Sequence, residues 1–247
     1  MALPKINTPI FELNLPSSGK SIKYRPFLVK EQKVLLMAME TGDNIGIFNA
    51  VKQIINNCAI DEVDTEKMPI FDLEYFFLRL RAKSIGEQID LSLRHPTGYN
   101  SKNEACDHVT NSKINLLEVE VQKVLDHTDK IVIEEETGIG IKFKYPNGEL
   151  SSKFNPDDVN KTEMDIITEA MINCIDYIFD KDNIYKKEDS TREELIEFID
   201  GLSQDQFQKL SSFFDTMPKL KHTVKWRCGG CGCEEQVTLE GLSNFFA

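Results

Sequence analysis

The run WRCGGCGCEEQVTLEGLSNFF, from Trp226 to Phe246, constrains this chain more than any other. Cys228 and Cys231 form a CxxC pair, followed at once by Gly232 and Cys233. The strand-like Thr223-Val224-Lys225-Trp226 leads in, and Glu235-Gln236-Val237-Thr238-Leu239 leads out. Two thiolates at this spacing can bite one metal from a tight turn, and Gly232 can take the left-handed backbone that the turn needs. Such a knuckle supplies two ligands, whereas a structural zinc site takes four. The fold must therefore bring a second pair of ligands to meet the first.

A second pair is found upstream. IDLSLRH (Ile89–His95) has the pattern of HTVKWRC (His222–Cys228): a strand, then Arg, then a potential ligand. CDHVTNSKINL (Cys106–Leu116) parallels CGCEEQVTL (Cys231–Leu239). We read a degenerate internal repeat of strand–knuckle–strand units, the first carrying a longer insert. Aligning the strands that follow the knuckles puts His108 opposite Cys231. Aligning the strands that precede them puts His95 opposite Cys228. The leading ligand set is Cys228, Cys231, Cys106 and His108, with His95 as the substitute. A closed Cys3His site of this kind would hold a structural zinc and tie the region of residue 106 to that of residue 231. The opposing reading is that the metal has been lost and packing alone holds the knuckles. Cys233 reads as a spare. Cys58 and Cys174, inside apolar helical patterns, read as packed thiols.

Composition bounds the function. The 247 residues suit one large domain or two small ones. A formal charge of −12 argues against non-specific binding to nucleic acid or to an anionic membrane. No apolar run is long enough to span a bilayer and no signal peptide is evident, so neither a membrane span nor export is expected and a reducing cytoplasm is the natural compartment. GxSxG, Walker and HExxH motifs are absent, so an enzyme is not expected. Gly138-Ile139-Gly140 lacks the third glycine and helix start of a dinucleotide site. Glu134-Glu135-Glu136 reads as a solvated face.

The patterning predicts an α+β fold of antiparallel β-hairpins, including the knuckle hairpins, packed with about six helices. Helices are expected over 29–42, 43–58, 72–83 with Asp72 as cap, 162–179, 192–199 and 207–216. Strands are expected at 11–15, 21–27, 87–94, 112–116, 121–124, 131–133 and 138–145, and residues 180–189 read as an exposed loop. We divide the chain into an N-terminal hairpin with helices (1–85), a β-rich region with the degenerate knuckle (86–150), a helical region (151–218) and the C-terminal knuckle hairpin (219–247), forming one to two compact domains. Leu242, Phe245 and Phe246 at one end, with Tyr24 and Arg25 at the other, are candidate partner-binding residues if exposed.

Three segments together resemble a known family. PIFELNLPSSGKSIKYRPFLVKEQKVLLMAME, FLRLRAKSIGEQIDLSLRH and VKWRCGGCGCEEQVTLEGLSNFF are similar to the baseplate hub assembly proteins of T4-like contractile-tailed bacteriophages. The resemblance covers essentially the whole chain and is weakest over 120–190. It departs from the family pattern where the first knuckle should hold a second CxxC and offers His95, Cys106 and His108 instead. It implies a non-enzymatic protein that binds other hub or tail proteins in the host cytoplasm, as an assembly chaperone or a minor component of the virion. The alternative from the knuckle alone is a zinc-ribbon adaptor that binds nucleic acid or a transcription complex. Lys219, Lys221, Lys225 and Arg227 flank the knuckle, but so do Glu234, Glu235 and Glu240, and this mixture favours the first reading.

Overall fold

A computed structural model describes residues 7–153 and 162–245. In chain order the strands and helices are β1 (Phe11–Asn14), β2 (Ser21–Tyr24), α1 (Val29–Thr41), α2 (Asn44–Cys58), α3 (Ile70–Ser84), β3 (Gln88–Leu93), β4 (Thr110–Asn115), β5 (Glu120–Gln122), β6 (Lys130–Glu134), β7 (Ile139–Phe143), α4 (Gly148–Lys153), α5 (Glu163–Cys174), β8 (Ile175–Phe179), β9 (Ile184–Lys186), α6 (Arg192–Asp200), α7 (Gln204–Thr216), β10 (Lys219–Arg227) and β11 (Glu234–Glu240). Short 3-10 turns follow β4, β9 and β11. All strand pairs are antiparallel, in four small sheets, so the fold is α+β as expected. The described residues hold seven α-helices rather than six, because α4 starts at the Pro146-Asn147-Gly148 turn, where Asn147 accepts the Leu150 amide.

The chain forms two units. Unit 1 comprises Met1–Asp64, Phe71–Gln122 and Lys219–Ala247, and unit 2 comprises Thr65–Ile70 and Lys123–Pro218. In unit 1 the core centres on α3, whose Leu73, Phe76, Phe77, Leu78 and Leu80 are fully buried. The β1–β2 hairpin and α2 supply Ile22, Ile54 and Ile55 to the same core, and Tyr24 meets Phe76 edge-on at 5.5 Å. Burying several such side chains outweighs any local propensity, at roughly 1.5–3 kcal/mol each. Arg79 is also buried; its guanidinium donates to the Leu116 and Val119 carbonyls and to Glu120 Oε1, fastening α3 to the start of β5.

Two expectations about α3 and its surroundings are corrected. Asp72 does not cap the helix. It lies inside the first turn, where its carboxylate accepts the Ser17 amide at 3.0 Å and the Ser17 hydroxyl, holding the β1–β2 turn against α3. Tyr24, Leu242 and Phe245 are not an exposed partner surface, because all three are buried in unit 1, Phe245 completely. Arg25 is engaged with the Glu31 carboxylate and the Asn57 carbonyl. Phe246 lies outside the described residues.

Unit 2 packs α5, α6 and α7 against the sheet β6-β7-β8-β9, around Ile141, Phe143, Met171, Ile175, Leu210 and Phe213. Phe143 and Phe213 stack at 4.8 Å. The long helix expected over 162–179 breaks after Cys174. Its first part is set by the Thr162–Asp165 capping box, but Ile175-Asp176-Tyr177-Ile178-Phe179 extends as β8 between β7 and β9. Apart from Asp176 these are β-branched and aromatic residues whose helical spacing is incidental; pairing on both sides overrides it. Residues 184–186, expected as loop, form the edge strand β9 by pairing with β8 alone. The capping boxes Thr191–Glu194 and Ser203–Gln206 start α6 and α7. Cys58 and Cys174 are buried as expected, and burial pushes their thiols up to about 11 and about 12.

The glycines at 138 and 140 serve packing. Gly138 turns the chain at φ 71°, and a Cβ on Gly140 would run into the Phe179 ring and the Ile131 carbonyl. Glu74, in α3, accepts the Leu242 amide at 3.0 Å, and burial pushes its carboxyl up to about 7.

Two outcomes follow from these contacts. Gly140→Ala is expected to cost about 1–3 kcal/mol, read as an earlier denaturant midpoint in a probe of unit 2. Glu74 has a folded-state pKa above its unfolded one, so its favourable contribution is complete below about pH 4.5 and is lost as pH rises through about 7. Glu74→Gln should therefore melt higher than the native chain at about pH 8.5, with the gap closing near pH 5; a gap independent of pH would refute the assignment.

Candidate metal centre

Two hairpins build the centre, both in unit 1. In β3–β4, Ile89, Leu91 and Leu93 alternate into the core, and Leu93 pairs with Thr110 at the open end. In β10–β11, Val224 and Trp226 point inward, and Arg227 pairs with Glu234. Each hairpin then runs into a turn that carries one ligand after its first strand and one before its second. The pairs are His95 with Cys106 and Cys228 with Cys231.

Those four residues form the cluster. One ligand atom from each of His95, Cys106, Cys228 and Cys231 lies within 4.8 Å of all the others. Cys106 Sγ is 3.7 Å from Cys228 Sγ, and His95 Nε2 is 3.5 Å from Cys231 Sγ. A tetrahedral zinc with ordinary bond lengths would set its sulfur–sulfur edges at about 3.8 Å and its sulfur–nitrogen edges at about 3.6 Å. These two edges match a tetrahedral site of that kind, and the remaining ones lie within 4.8 Å.

The leading set from the sequence is corrected at one position: the histidine is His95, the substitute, and not His108. The backbone explains why. The His108 amide donates to Cys106 Sγ, so residues 106–108 form a knuckle turn of their own. The His108 ring is exposed and leans over the opposite knuckle. A Cβ on Gly230 would stand 2.7 Å from His108 Cβ, and one on Gly229 3.0 Å from its Nε2. Glycine at both positions makes room for it.

The second knuckle shows the same amide-to-sulfur pattern. The Cys231 and Gly230 amides donate to Cys228 Sγ, and with His95 beside it the thiol is pulled down to about 6. The Cys233 amide, the Asn100 side chain and His95 pull the Cys231 thiol down as well. Gly232 takes φ 72°, the left-handed turn read from the sequence. Cys233 is no ligand; its amide serves Cys231 and its carbonyl accepts the Cys228 amide at 2.9 Å. At Cys106 the His108 amide is the largest influence and lowers the thiol, but burial and the Cys228 and Cys231 sulfurs together raise it. Backbone amides and His95 thus favour thiolate at Cys228 and Cys231, while like charge opposes it at Cys106; a divalent metal would remove that opposition by neutralising the gathered sulfurs.

Sequence reasoning missed the shell around the ligands. Glu235 Oε1 lies 3.4 Å from His95 Nδ1, on the side away from the cluster, where a carboxylate fixes the ring and raises its basicity as a ligand. The same oxygen accepts the Ser101 amide. Trp226 packs on the His95 ring at 5.4 Å. Asn100, buried in the insert between His95 and Cys106, accepts the Lys102 and Glu104 amides and so orders that loop. The register Trp226↔Glu235 was the available signal, since it puts a carboxylate beside the knuckle once the histidine is known. Four protein ligands leave no open coordination position, so such a centre ties the fold together and does not polarise a substrate.

Against this geometry, the chain matches the family model described as T4 bacteriophage base plate protein over residues 8–247. Comparisons with curated proteins and with solved structures find no match.

Purified protein is expected to carry about one zinc per chain and to melt earlier once a strong chelator removes it. The histidines separate sharply: His95→Ala should lose the metal and the chelator-sensitive part of the stability, while His108→Ala keeps both. Metal analysis of the two variants decides, and loss from His108→Ala with retention in His95→Ala would overturn the assignment.

Proposed function

The chain belongs to the family of T4 bacteriophage base plate proteins, and on that premise we propose that it is a non-enzymatic tail assembly protein that binds hub subunits while the baseplate hub is built. It acts as an assembly chaperone or remains as a minor hub component, so its places are the host cytoplasm during assembly and the virion baseplate. The observation that carries this reading is the family match across nearly the whole described chain. The metal centre supports it: a closed Cys3His zinc site stiffens a scaffold and offers no site for turnover. The nucleic-acid adaptor reading finds less support at the knuckle hairpin. Lys219 and Lys221 there both pair with Glu240, which uses up positive charge that phosphates would need.

Co-expression with each hub and tail subunit of the same phage, followed by size-exclusion chromatography, tests the proposal. A stable stoichiometric complex with at least one hub subunit is expected, together with hubs that fail to assemble when the gene is disrupted. Normal hubs without the protein, or a complex with duplex DNA in place of any tail protein, would sink it.

A further inference from the structure

The charge of this chain is not spread evenly. Unit 2 holds 23 of the 41 acidic and 12 of the 29 basic residues, so it carries −11 of the −12 formal charge, and unit 1 carries −1. One near-neutral unit and one strongly acidic unit in the same chain point to a specific electrostatic role for unit 2, beyond general solubility.

Unit 2 also has an apolar groove. Between the β8–β9 face and α6 lies a cavity of about 310 Å³ floored by Ile139, Ile178, Phe179, Leu195 and Phe198. That is the low end of the range for small-molecule pockets, large enough to admit an apolar side chain. Its rim is acidic: Asp180 and Glu194 line it, and Asp182, Glu188, Asp189 and Glu193 are exposed nearby in sequence. Asp180 is held ionised, chiefly by the Asp182 amide and then by the Tyr185 hydroxyl and Asn183 amide. Nearby cations are turned elsewhere. Lys181 donates to the Glu136 carbonyl, Lys187 to the Asn173 carbonyl, and Arg192 faces Glu169. Lys186 alternates to the face of β9 opposite Tyr185, which lines the groove. Alongside, β9 is the edge strand of its sheet among the described residues, with Ile184 and Tyr185 exposed. An exposed edge is a template for one more strand.

We infer that this groove and the β9 edge dock an extended basic segment of a partner baseplate protein, one apolar side chain filling the groove and flanking Lys or Arg residues meeting the acidic rim. The inference rests on the assembly reading above and names the chemistry of a partner. Apolar filling supplies the anchor, and opposite charge supplies rate and selectivity.

The test uses the intact protein and a fluorescent hexapeptide with two leucines between lysine pairs, followed by anisotropy. Binding should weaken as salt rises. It should fall at least about tenfold, or about 1.4 kcal/mol, when glutamates replace the lysines or serines replace the leucines. Ser190→Trp, which fills the groove, should abolish it. Glu194→Gln keeps the capping acceptor for the Thr191 amide while removing rim charge, and should weaken binding in a chain with unchanged melting. Absence of binding, equal binding of the glutamate peptide, or indifference to both variants would overturn the groove assignment. If Ser190→Trp still forms the hub complex, the docking inference fails and the assembly proposal stands; if the native chain forms no hub complex yet binds the lysine peptide, the reverse holds.

Discussion

Four candidate ligand atoms held within 4.8 Å of one another bring the turns of two hairpins of unit 1 together. They come from residues 95–106 and 228–231, far apart in the chain, and no hydrophobic pattern along the sequence would demand that those turns meet. Without a metal, three sulfurs and an imidazole packed so closely would have to be satisfied by one another. With one, their mutual repulsion becomes coordination, and its free energy adds to that of folding. The turns are shaped for this: backbone amides already point at Cys106, Cys228 and Cys231, and Glu235 already stands behind His95. The glycine pair at 229–230, which lets His108 lie across the second knuckle, belongs to the same arrangement.

Much of the fold was legible because its signals are local. The first hairpin and the Gly232 turn depend on residues within a few positions of each other, and the structure has both. Failures occurred where a distant partner decided. Ile175 and Ile178 fit a helix as well as a strand, and only β7 and β9 on either side settle the matter. Asp72 looked like a cap until Ser17 arrived from the opening turn. Leu242 and Phe245 read as a sticky terminus, yet both are buried, and the Leu242 amide is tied to Glu74 of α3.

The candidate metal ligands illustrate the same limit at finer grain. Three of the four followed from the CxxC pair and the internal repeat. The histidine could not be fixed, because the two strand alignments each named a different one and both are within reach of Cys106. The insert between His95 and Cys106 decides it: the Asn100-centred loop doubles back so that the Cys106 amide reaches the Gly98 carbonyl at 2.8 Å, which sets His95 beside Cys106.

The pairing of β5 with β10 has a topological consequence. Gln122 and Lys219 are direct partners in that ladder, so the point where the backbone departs for most of unit 2 and the point where it comes back are one strand spacing apart, roughly 5 Å. The 96 residues between them are in effect hung from a closed ring. Changes in their length or sequence need not be felt as a stretched or slackened tether, because the ends stay clamped whatever lies between.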